Sequence, residues 1–150
     1  MINAGVPDVR GAWQHEFGVH TFTAVSIKQR YAGHAKQAAL IADQNRLAAY
    51  MGRFVVVVDE DIDPTDINDV LWAMCFRCDP EKDIDIIRQG WASALEPLIR
   101  KPATAFYNSR AIINACKPFE WIDEFPIPVK SSPELISKTK EKWGKQMGLQ

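Results

Sequence analysis

The chain has 150 residues, 47% of them hydrophobic and 25% charged, with 18 basic against 19 acidic side chains and three cysteines. That is the composition of one globular domain with a sizeable core, and a net charge of −1 lacks the basic footprint that nucleic acid or an anionic membrane would select. No apolar run approaches the roughly 20 residues of a membrane span, residues 1–7 do not read as a signal peptide, and Cys75, Cys78 and Cys116 do not form a disulfide framework. A cytoplasmic protein with reduced thiols is expected.

Residues 1–6 read as the last turn of a helix ending at Gly5. From His20 to Ile27 β-branched and aromatic residues alternate, which predicts a strand with one buried face. From Gly33 to Met51, alanines at 35, 38, 39, 42, 48 and 49 beside Leu40, Ile41, Leu47 and Tyr50 predict one long helix packed closely on a sheet and ended by Gly52. Phe54 to Val58 is a continuous apolar run bounded by Arg53 and Asp59, the pattern of a strand buried on both faces.

Asp63 before Pro64 has the form of a helix start, with Val70, Leu71, Met74 and Cys75 sharing a face up to about Arg77. Asp83 to Ile87 alternates and predicts a third strand. The order strand, helix, strand, helix, strand over 20–88 predicts an α/β fold, a mainly parallel sheet built from βαβαβ units with helices packed on it. Residues 1–100 form that domain. Residues 101–150 then read as an extended tail for subunit contacts, punctuated by prolines at 102, 118, 126, 128 and 133 and carrying Tyr107, Phe119, Trp121 and Phe125, with a docking helix opened by Ser132-Pro133-Glu134.

Four local patterns invite chemical readings. Lys28, Arg30, His34 and Lys36 crowd a strand-to-helix junction, either as an anion contact at a helix N-terminus or as loop cations paired with nearby acids. Asp59, Glu60, Asp61 and Asp63 lie at the end of the buried strand, either as oxygen ligands for a hard cation or as a helix cap and partners for Arg and Lys; Pro64 and Val70 fall where an EF-hand needs glycine and glutamate. Cys75 and Cys78 have CxxC spacing, for zinc or thiol chemistry or as structural thiols at a helix end. His15 and His20 flank Glu16 but stand five apart with Gly18 between them, which excludes the zinc-protease arrangement.

Three stretches carry a family resemblance: Val25 to Gln37 (VSIKQRYAGHAKQ), Phe54 to Pro80 (FVVVVDEDIDPTDINDVLWAMCFRCDP) and Asn108 to Pro118 (NSRAIINACKP). Together they resemble the C-terminal region of the UbiD family of carboxy-lyases. The resemblance implies reversible decarboxylation of aromatic or α,β-unsaturated carboxylic acids with prenylated FMN, a divalent metal and potassium at the cofactor phosphate, and an α/β C-terminal domain that mediates dimerisation through a terminal helix crossing to the neighbour. The family's catalytic glutamate–arginine–glutamate network and metal ligands match no residue of this chain, so no cofactor is expected on this chain alone and the flavin-binding catalytic portion or subunit is an expected partner, beside a homo-oligomer of two or more copies. The resemblance further implies a basic residue that reaches the flavin phosphate, matched here by Arg46 or Lys28. The alternative is a non-catalytic α/β self-association module derived from the family.

Overall fold

The computed structural model describes residues 1–99, 105–129 and 131–148. After a short 3-10 turn at Ile2–Ala4, closed by Gly5 in the left-handed region at φ 86°, the elements run β1 (Val9–Gln14), β2 (Phe22–Ile27), α1 (His34–Gln44), α2 (Arg46–Met51), β3 (Phe54–Asp59), α3 (Ile67–Arg77), α4 (Pro80–Asp83), β4 (Ile84–Trp91), β5 (Tyr107–Ala115) and α5 (Pro133–Met147). The five strands form one sheet in the order β1-β2-β3-β5-β4. β2, β3 and β5 are parallel, and β1 and β4 close the two edges antiparallel.

The alternation of β2, β3 and β5 divides the core into two layers. Val25, Ile27, Val55, Val57 and Ile112 face α1, whose Ala35, Ala38, Ala39 and Ala42 let the helix approach the sheet closely. Ala24, Val56, Val58, Ala111, Ile113 and Ala115 face the other way, against Ile62 and the Val70 and Ala73 of α3. The four valines of β3 are 0–1% exposed, as a central strand covered on both faces requires.

The α/β class and the parallel centre agree with the sequence pattern, and the details differ in several places. β1 has a mixed sequence and a register shift between Val9 and Gly11, so its period-two signal is lost. The predicted long helix is broken at Asn45, which takes extended angles (φ −70°, ψ 152°) and donates its side-chain amide to the Ala42 carbonyl at 2.6 Å. The helix start expected at Asp63 lies instead at Asp66, which accepts the Asn68 amide, while Asp63 closes a turn on Thr65. The third predicted strand is an antiparallel edge, because the chain leaves β3 through α3, reaches the far edge as β4, and returns as β5 between β3 and β4.

Residues 107–115, which the proline spacing assigns to the tail, are therefore central in the sheet, and the sheet draws on residues beyond 100. The expected boundary at 100/101 and Pro102 lie outside the described residues, as do the side chains of Leu47 and Ala48.

Candidate functional site

The two ends of the parallel strands differ in character. At the C-terminal end, Asp59 is a buried hub: one carboxylate oxygen accepts the Gln29 side-chain amide at 2.8 Å, and the other accepts the Lys117 backbone N–H at 2.7 Å and Arg77 Nη1 at 3.2 Å. The fully buried Arg77 side chain forks onto Asp61 at 2.9 and 2.7 Å and lies 5.1 Å over the Trp72 ring. These contacts hold the Asp61 carboxyl down to about 2, against an ordinary value of 3.8. Glu60 pairs with Arg10 and with Lys28 at 3.1 and 3.3 Å. Asp59, Glu60 and Asp61 are thus consumed by ion pairs, and Asp63 by the turn at Thr65. Among the described residues no three His, Cys, Asp or Glu side chains are placed to hold a metal ion.

The basic junction before α1 is spent in the same way. Lys28 is paired with Glu60, Arg30 with Asp8 and Lys36 with Asp85. His34 is fully buried, stacks on Tyr31 at 4.6 Å between centroids, and takes the Arg30 backbone N–H on Nδ1 at 3.2 Å. Burial lowers its pKa, which keeps it a neutral acceptor. A cavity of about 640 Å³ lies beside this junction, with Lys36, Lys82 and Lys117 and the aromatic rings of Phe119, Trp121 and Phe125 in its wall. Each of those three lysines already has a carboxylate partner.

The cysteine and histidine patterns dissolve on folding. Cys75 is exposed on α3 and Cys78 half-buried just past its end, where burial and the nearby Asp83 and Asp79 raise the thiol pKa, the direction opposite to that of a reactive thiolate. His15 is buried against Phe17 and Phe22, whereas His20 is exposed and bonded to Gln14.

The N-terminal end of the strands is built otherwise. Arg46 opens α2 there, exposed, and with no carboxylate partner among the described residues. Lys28 follows the last residue of β2, at the opposite end, so roughly 20 Å of strand separates the two positions. One phosphate cannot meet both. Beside α2, Arg110 of β5 is 1% exposed and fully engaged: Nε donates to Asn108 Oδ1 at 2.9 Å, Nη1 to the Asp43 carbonyl at 3.0 Å, Nη2 to the Ala49 carbonyl at 2.8 Å, and Nη2 also to the Trp91 carbonyl. The Asn108 side-chain amide donates to the Gly52 carbonyl at 3.0 Å and to the buried Glu96 at 3.1 Å, and Glu96 pairs with Arg53.

Sequence reasoning missed this network. Its one signal was a charged residue at an inward-facing position within the apolar alternation of Tyr107 to Ala115.

Comparison with known proteins agrees with this architecture. The chain is 32% identical over 123 residues to an uncharacterized protein of Aeropyrum pernix, a match covering 80% of this chain and 24% of that one. It superposes on the UbiD-class enzyme HmfF from Pelotomaculum thermopropionicum, solved with FMN, with a TM-score of 0.75 and 25% identity, covering 91% of this chain and 29% of that one. Vanillic acid decarboxylase of Sedimentibacter hydroxybenzoicus in its open form matches with a TM-score of 0.68 and 25% identity, over 98% of this chain and 30% of that one. The chain thus spans 24–30% of the length of these relatives. The family described as the 3-octaprenyl-4-hydroxybenzoate carboxy-lyase C-terminal domain matches residues 1–115, and the chain belongs to that family.

Proposed function

We propose that this chain is the C-terminal part, or a separately encoded subunit, of a UbiD-like enzyme that reversibly decarboxylates aromatic or α,β-unsaturated carboxylic acids with prenylated FMN. In such an enzyme the cofactor supplies the electron sink for carbon–carbon cleavage. The residues of this chain bind and position: Arg46 meets the cofactor phosphate as a charge-assisted donor, and the tail after Cys116, with α5, serves contacts between copies of the enzyme. The divalent metal and potassium are assigned on this reading to the portion outside this chain.

The reading rests on one observation, an exposed cation without a carboxylate partner at one end of a sheet whose other end is neutralised by its own ion pairs. Lys28, spent on Glu60, is the lesser candidate. The test is flavin retention by the complete enzyme, measured as flavin per subunit after gel filtration. Arg46→Ala should reduce retention about tenfold, the worth of one charge-assisted hydrogen bond, and Lys28→Ala should leave it unchanged. Full retention in Arg46→Ala would remove the phosphate contact. If the chain neither bound the flavin-bearing portion nor supported decarboxylation with it, the enzyme reading would fall and the self-association module would stand in its place.

A further inference from the structure

The layer that covers the sheet on that side is broken between α1 and α2, and Arg46 stands at the break. A break exposes carbonyls that a continuous helix would satisfy. Here the Arg110 guanidinium, reaching from β5, takes one such carbonyl, Asp43 in the last turn of α1, at 3.0 Å, and also the Ala49 carbonyl that the end of α2 leaves open, at 2.8 Å. Those residues bracket Asn45 and Arg46. The same guanidinium donates to the Trp91 carbonyl at the end of β4, and Nη1 lies 3.5 Å from the Asp43 carboxylate. Gly90 leaves it room, since a Cβ there would stand 3.3 Å from Cζ.

We propose that Arg110 is the positioning residue for Arg46: by bonding the chain on both sides of the break it fixes the angle of α2 and so aims Arg46 at the phosphate of the flavin. The inference rests on the reading of Arg46 given above. Its chemistry is specific to arginine, whose planar fork of five donors serves several carbonyls in fixed directions, whereas the ammonium of lysine is one point charge on a flexible stem. Arg110 touches no cofactor itself. Its effect on binding therefore passes through Arg46, which gives it a signature that general destabilisation lacks.

The test uses the complete enzyme with Arg46→Ala, Arg110→Lys, Gly90→Ala and the double variant Arg46→Ala/Arg110→Lys. Flavin retention is read together with hydrogen exchange of the 46–51 amides. Arg110→Lys and Gly90→Ala should each lower retention several-fold and speed exchange in α2, while Arg46→Ala lowers retention without changing exchange. In the double variant retention should equal that of Arg46→Ala alone, because two residues acting through one contact are not additive. Gly90→Ala keeps the guanidinium and only displaces it, so it carries the test if Arg110→Lys does not fold. Additive losses in the double variant, or unchanged retention in a folded Arg110→Lys or Gly90→Ala protein, would overturn the positioning role while leaving Arg46 as the phosphate contact. Unchanged retention in Arg46→Ala would remove both.

Discussion

Asp61 shows how closely charge is managed at the C-terminal end of the strands. Its carboxyl is held down to about 2, first by hydrogen bonds from Arg77 and further by the charges of Arg77 and Lys117. A carboxyl that is more acidic folded than unfolded stabilises the fold above its unfolded value, and that contribution is lost as the pH falls from about 4 towards about 2. With 42% of the side chain exposed, solvent screening limits the contribution to about 1 kcal/mol or less near neutral pH. Asp61→Asn should therefore lower the thermal midpoint slightly at pH 7, with the gap to the parent protein closing as the pH drops through that window. A gap that stayed constant down to pH 2 would show that the ion pair contributes nothing through its charge. The residue scale is also where sequence reasoning was weakest. Arg77, Asp59 and Arg110 are ordinary charged letters in the chain, and only folding shows that the first two neutralise each other and that the third is almost wholly buried among carbonyls.

Among the elements, those with an unambiguous apolar pattern were legible and those defined by backbone hydrogen bonding were not. The β3 valines and the α1 alanines announce two-sided and one-sided burial, and both are found so. β1 and β4 are edges whose register shifts, at Val9/Gly11 and at Ile87/Gly90, break the alternation that would identify them in full. Such bulges also discourage pairing with a further strand. The start of α3 makes a similar point. Asp63-Pro64 satisfies the composition rule for a cap, yet the Asp63 carboxylate is occupied by the Thr65 N–H and hydroxyl at 2.9 and 2.8 Å, and the helix begins after Asp66. Asp66→Ala should cost about 1 kcal/mol, the usual worth of an N-cap, and Asp63→Ala should cost less. The two thermal midpoints decide it, and the reverse order would place the working cap at Asp63.

For the molecule as a whole, the question is what covers its apolar surface. Apart from Gly144, every residue described in α5 is exposed, including Leu135, Ile136 and Trp143. Ser132 caps the helix by accepting the Leu135 amide, and Gly148 closes it in the left-handed region. Capping alone does not sustain it, since a single helix of about 12–15 residues is marginal in water and draws most of its stability from packing its apolar face. On the sheet, Phe54 and Ile86 lie in register on either side of Ala111 and are 44% and 54% exposed, so a strip of the α3 face is also open. On the function proposed above, contacts between copies would cover the first surface, and the portion of the enzyme outside this chain, two thirds or more of the length of the relatives, would cover the second. Light scattering of the purified chain should give a dimer or larger, and Ile136→Lys with Trp143→Lys should shift it to a smaller species. The thermal midpoint should stay within a few degrees, because neither side chain belongs to the two core layers. A parent chain that is monomeric at all concentrations, or a double variant that keeps its size, would show that α5 serves some contact other than self-association.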